Sequence, residues 1–178
     1  LQPGPGFGGS CFPKDARALL DLADRHGLDF PILAAAVEVN ASRQDRMADQ
    51  VLAAVDGVDD PVVALWGLAF KAGTDDTRES PALHIGESLA RRGAVVRAYD
   101  PKATTDGPIK VCSSALAATE GADVLVVATE WSEFTEVNPV AVFAAMRGDL
   151  VMDLRNLLDA EQIRAAGLRL QGIGKPSS

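Results

Sequence analysis

From Val62 onward the chain alternates short aliphatic runs with helix-length amphipathic segments, and this alternation restricts the fold more than any other feature. Val62–Trp66, Val95–Tyr99, Val124–Ala128, Leu150–Asp153 and Leu168–Gln171 read as strands. Ala82–Arg92, Ser114–Thr119, Pro139–Met146 and Glu161–Ala166 read as the helices between them. Strands that are apolar on both sides need cover on both faces, and helical crossovers make them parallel. The pattern predicts an α/β fold with a Rossmann-like parallel sheet, whose ligand crevice lies beyond the carboxyl ends of the strands. The tail Gly174–Ser178 is expected to fray.

The preceding stretch reads differently. Residues 1–12 form a Gly/Pro-rich loop, a helix is predicted over 13–26 with Gly27 as its stop, and a second helix runs from Pro31 to about Val55. Those 25 residues would span about 37 Å. Leu33, Val37, Met47, Val51 and Val55 share one face of it with the polar Asn40 and Gln44. So long a helix either packs on its own small domain or presents this stripe to a partner. The turn cluster Asp56–Pro61 marks the boundary, giving a loop and central helical region over 1–60 and a sheet domain over 61–178.

One cysteine stands out chemically. In GFGGSCFPKD, residues 6–15, Cys11 follows a glycine-rich bend and precedes a helix start in which Pro13 suits the first turn and Asp15 complements the dipole. A helix N-terminus with Lys14 one turn away stabilises a thiolate, which is the make-up of a nucleophile. The competing reading is a small buried hydrophobe. Cys112, in a short Val-Cys strand segment, reads as that buried kind. Two cysteines do not suggest a disulfide framework, which makes a reducing cytoplasm the default.

The loop after the first strand, Gly67–Ser80, is too long for a dinucleotide-type phosphate turn, and Gly67 and Gly73 are too far apart. It carries the cations Lys71 and Arg78 where anions bind, and Ser80-Pro81 supplies a cap for the next helix. Alternatively, Asp75, Asp76, Arg78 and Glu79 form a solvated network. A net charge of −8 with no compensating basic stripe argues against nucleic acid and anionic membranes as partners. No apolar run approaches bilayer length. An anionic ligand would therefore rely on local cations, of which Lys14, Lys71, Arg78 and Arg155 are the candidates. His26 and His84 lack metal-ligand spacing, Trp66 reads as core and Trp131 as a loop anchor.

GFGGSCFPKD, FKAGTDDTRES (Phe70–Ser80) and TEWSEF (Thr129–Phe134) together resemble the UDP-glucose/GDP-mannose dehydrogenase family, more closely its UDP-glucose branch. The resemblance implies NAD-dependent oxidation of UDP-glucose to UDP-glucuronate in two steps, with Cys11 as covalent nucleophile and Asp15 assisting hydrolysis of a thioester. It implies that Phe70 and Lys71 contact the nucleotide sugar and that residues Gln2–Gly8, Phe7 and Gly8 among them, cover the sugar. Lys14 and Arg78 would reach NAD. In DLRN, Asp153–Asn156, either Arg155 or the Asn156 position would face the substrate. It implies too that the long helix is the core of a homodimer. The family carries a Rossmann domain for NAD ahead of the cysteine, to which nothing here corresponds, and the chain begins at Leu1. It is therefore expected to be the carboxy-terminal part of a larger enzyme, inactive by itself. GDP-mannose oxidation and a non-catalytic module that binds nucleotide sugar and dimerises are the alternatives.

Overall fold

A computed structural model describes residues 4–175. Gln2 and the last part of the predicted frayed tail, residues 176–178, lie outside them. Six parallel strands form one sheet in the order β3-β2-β1-β4-β5-β6. They are β1 (Val62–Trp66), β2 (Val95–Tyr99), β3 (Lys110–Val111), β4 (Val124–Val127), β5 (Leu150–Asp153) and β6 (Arg169–Gly172). Chain order reverses direction across the sheet between β1 and β4, which opens a crevice at their carboxyl ends.

The central strands explain the two layers. Along β1, Val63 and Leu65 face one side, while Ala64 and Trp66 face the other, as a two-residue period requires. The first side is covered by α3 (Pro81–Arg91), through Ile85 and Leu89, and by the end of α2 (Pro31–Ala54), through Met47, Ala48 and Val51. The second is covered by α4 (Ala115–Thr119), α6 (Pro139–Ala145) and α7 (Ala160–Ala165), with Phe134 of the one-turn α5 (Glu133–Glu136) against Trp66. Side chains start several helices. Ser80 caps α3 at Leu83 N, Ser114 caps α4 at Ala117 N, and Asp159 caps α7 at Glu161 N and Gln162 N.

The helical region is α1 (Phe12–Arg25) followed by α2. Gly27 ends α1 with φ at +65°, the left-handed conformation that glycine adopts without a Cβ penalty. The stripe predicted along α2 is divided by the structure. Val51 and Val55 are sealed in the chain's own core, and His84–Asp45 (3.0 Å) and Arg92–Asp49 (2.7 Å) tie α3 to the same half of the helix. Val51 and Val55 are therefore not free for a second copy. Large apolar residues left on the outside include Phe12 of α1, Ile32 (82% exposed) and Val39 of α2, and Leu19, Leu22, Leu28 and Phe30 around the α1–α2 elbow.

Candidate active site

The carboxyl ends of β1, β4 and β5 bring together residues far apart in sequence. Asp153 closes β5, and its Oδ1 accepts from Arg155 N (2.9 Å), turning the chain so that the Arg155 side chain lies back over the sheet end. There Arg155 Nε donates to Ala128 O (2.9 Å) and Nη2 to Phe70 O (3.3 Å). Only 15% of its side chain is exposed. Burial pushes its guanidinium below the ordinary arginine value, an effect opposed by the nearby Glu130 and Asp153 carboxylates. Asn156 turns the other way, with φ at +51° and its Nδ2 donating to Ile173 O. Of the two neighbours, Arg155 is the one at the crevice.

The β1–α3 loop carries Phe70 and Lys71, the latter exposed and with Nζ 5.2 Å from the Phe70 ring centre. Three residues of the TEWSEF segment hold this loop. Thr129 Oγ1 donates to Ala69 O (2.7 Å), and Glu130 pairs with Arg155 (3.0 Å) and accepts weakly from Ala72 N. Trp131 Nε1 donates to Asp100 Oδ2 (3.0 Å). Asp100 is the hub. Its Oδ2 also accepts from Leu68 N and Ala69 N, and its Oδ1 accepts from Lys102 N and Ala103 N. In dinucleotide-binding sheets the acid after the second strand binds a ribose. Here that acid is buried and takes its hydrogen bonds from the protein's own loops.

Residues 4–10 form a strap across the same end. Gly4 lies over the Arg155 guanidinium, and Gly9 N donates to Arg78 O (3.0 Å). Gly9 faces the Phe70 ring so closely that a Cβ would come within 2.9 Å of it, with φ at +88°. Gly8 abuts the Glu79 backbone, and half-buried Phe7 packs edge-on to Phe12 (4.7 Å). The strap leads into Cys11, which is exposed at the N-cap position of α1 with Sγ 3.7 Å from Ser10 Oγ.

Two cations flank the thiol. Lys14 is raised above the ordinary lysine value mainly by its hydrogen bond and charge pairing with Asp15 (2.7 Å), with a smaller contribution from Cys11. Arg78 is raised mainly by its hydrogen bonds to Asp76, again with a smaller contribution from Cys11. In return Asp76 is lowered to about 2, first by the Arg78 side chain. Of the network anticipated in this loop, the structure forms the Asp76–Arg78 pair, while Glu79 turns to Arg17 of α1. Arg17 with Glu79 (3.0 Å) fastens α1 to the same loop.

The structure brings Phe7, Gly8, Cys11, Lys14, Asp15, Phe70, Lys71, Arg78 and Arg155 to one end of the sheet and the strap above it. Cys112 is half-buried rather than fully buried, because β3 is an edge strand; its Sγ donates to Lys110 O. Asp100 and Glu130 were not anticipated. The signal for Asp100 was an acid directly after a strand segment, and for Glu130 its place in the TEWSEF segment, and each becomes meaningful once the loops are folded over it.

Residues 1–42 match the central domain, and residues 64–160 the UDP-binding domain, of the UDP-glucose/GDP-mannose dehydrogenase family. UDP-glucose 6-dehydrogenase of Rickettsia conorii is 38% identical over 182 residues, covering 98% of this chain and 42% of that protein. The enzyme of the same name from Pseudomonas aeruginosa is 40% identical over 188 residues, covering 99% and 42%. The solved UDP-glucose dehydrogenase of Pyrobaculum islandicum superposes with a TM-score of 0.82 at 28% identity, covering 97% of this chain and 39% of that one. The chain thus spans about two-fifths of the length of these relatives. With both family domains matched in order along a fold of the same architecture, the chain belongs to the UDP-glucose/GDP-mannose dehydrogenase family.

Proposed function

We propose that this chain supplies the nucleotide-sugar site and the nucleophile of an NAD-dependent UDP-glucose 6-dehydrogenase, which converts UDP-glucose to UDP-glucuronate. The observation that carries the reading is the convergence of an exposed cysteine at a helix start, two flanking cations and the Phe70–Lys71–Arg155 crevice at one end of the sheet. Lys71 and Arg155 meet the anionic nucleotide, and Phe7 and Gly8 of the strap cover the sugar. Lys14 and Arg78 would reach NAD held on a separate dinucleotide-binding domain, and two NAD molecules bound in succession would each supply the acceptor for one hydride.

The thiol makes the second oxidation possible. Cys11 Sγ, as thiolate, bonds to the carbon of the aldehyde formed first, and the resulting thiohemiacetal retains a C–H bond from which hydride can leave. Loss of that hydride gives a thioester. Water then adds to its carbonyl, the C–S bond breaks, and the thiolate and the acid are released. Asp15 has Oδ1 on Lys14 and leaves Oδ2 to orient that water.

The chain is also proposed to dimerise. The outer face of α2 carries Ile32, Ala35, Ala36 and Val39 at helical spacing, all exposed, and a second copy packed on the small residues covers them. Among the described residues no helix is long and apolar enough to cross a membrane, and the proposed location is the cytoplasm. Calorimetric titration tests the ligand: UDP and UDP-glucose bind to the chain and GDP does not. Tighter binding of GDP would move the assignment to GDP-mannose oxidation. Mixed with NAD and UDP-glucose, this chain by itself produces no NADH.

A further inference from the structure

The strap over the crevice has one two-point attachment, and it comes from the middle of α2. Phe7 N donates to Asn40 Oδ1 (2.7 Å), and Asn40 Nδ2 donates to Phe7 O (3.1 Å). A primary amide is the side chain that pairs with both polar groups of one residue's backbone, because it offers an acceptor and a donor side by side. One helical turn later Arg43 Nε donates to Gly4 O (2.8 Å), so the two attachments follow the i, i+3 spacing of a helix face. On its far side the strap is held by a single bond, Gly9 N to Arg78 O. Cys11 follows two residues later.

We infer that Asn40 is a positioning residue: it fixes the Phe7 peptide, and so sets where the strap covers the sugar and where it delivers Cys11. This rests on the reading that the strap lies over the sugar. Asn40 itself touches the strap and not the Phe70–Lys71–Arg155 crevice, so its removal separates sugar recognition from nucleotide recognition. Leucine at this position keeps the volume and the helix and makes neither bond. Aspartate accepts from Phe7 N but has no proton to donate to Phe7 O.

The test compares Asn40→Leu and Asn40→Asp with the native chain by amide hydrogen exchange and by calorimetry with UDP and UDP-glucose. For Asn40→Leu the amides of Phe7 and Gly9 exchange about tenfold faster or more while those of β1 and β4 are unchanged. UDP-glucose affinity falls about tenfold while UDP affinity moves less than about twofold. Asn40→Asp lies between the native chain and Asn40→Leu in both measurements, and it carries the test if Asn40→Leu does not fold. Native exchange rates at Phe7 and Gly9 would overturn the inference. So would an equal loss of UDP and UDP-glucose affinity, which marks a merely structural residue. If the native chain binds neither ligand, the functional reading falls, and the exchange rates alone decide whether Asn40 fixes the strap.

Discussion

The sheet domain and the helical region in front of it solve the problem of burial in opposite ways. In the sheet domain, β1 and β4 are covered on both faces, and the loops at their ends are fastened by Asp100, Thr129 and Glu130. In the α1–α2 elbow, Leu19, Leu22, Leu28, Phe30 and Ile32 remain in solvent. The dividing line does not follow the turn at residues 56–61. It runs through α2, whose last turns belong to the sheet core and whose first turns pack on α1, leaving Ile32 and Val39 exposed. A helix can thus belong to two structural units at once, and the proposed nucleophile sits in the unit with the less complete core.

The proposed function puts chemistry in one region and nucleotide binding in the other, and the sharpest way to break that division is Cys11→Ser. In an enzyme that joins this chain to a dinucleotide-binding domain, the substitution reduces acid formation by about a thousandfold or more, because a hydroxyl is a far weaker nucleophile. UDP-glucose binding is preserved. Steady glucuronate production by the variant would falsify the covalent route. Cys112→Ser, at the sheet edge, leaves turnover unchanged.

Next in size are two aspartates placed on the same helix. Val51→Asp buries an unpaired carboxylate in the sheet core and costs about 3–5 kcal/mol or prevents folding, as read from urea unfolding. Ile32→Asp changes monomer stability by less than about 0.5 kcal/mol and converts dimers to monomers in sedimentation experiments. Equal unfolding by both would erase the division of α2. A native chain that is monomeric at tens of micromolar would remove the dimer.

Smaller still is the effect of Lys71→Ala, which weakens UDP binding by about 1.5–3 kcal/mol if its ammonium makes a charge-assisted bond to the nucleotide. A changed melting temperature with unchanged UDP affinity would instead place Lys71 in a surface network. The smallest effect concerns pH. Asp76 is lowered to about 2, so its pairing with Arg78 is fully present above the ordinary carboxylate value of 3.8 and is lost only as pH falls through about 2. Chemical shifts of Arg78 are therefore flat from pH 5 to 8. A transition near pH 4 would mean the pair is open in solution.

Much of the architecture was legible because β1, β4 and β5 are continuous aliphatic runs between helix-length segments. The two-residue β3 was legible only as a short Val-Cys strand segment one residue off its observed position, since Lys110 and Val111 are exposed and owe their strand conformation to pairing with Arg97 and Ala98. The one-turn α5 is too short for any periodicity. Cys11 and the candidate cations Lys14, Lys71 and Arg78 stood out through chemistry local to each segment, whereas the role proposed for Arg155 came from the family resemblance. Asn40 was visible only as a polar residue on an apolar helix face, for its partner lies 33 positions away. The split of α2 was hidden for a related reason: both halves carry apolar residues, and only the folded sheet decides which of them it covers.

Because Asn40 and the exposed Ile32 and Val39 ride on one helix anchored at Val51, the proposed subunit contact and the sulfur are mechanically linked. A tilt of about 3° about Val51 moves Ile32 by about 1.5 Å and Asn40 by nearly 1 Å, given a rise of 1.5 Å per residue. Misplacement of about 1 Å is enough to change a reaction rate a hundredfold. In the proposed dimer, packing at the outer end of α2 therefore sets where the strap holds Cys11, transmitted without any loop having to unfold.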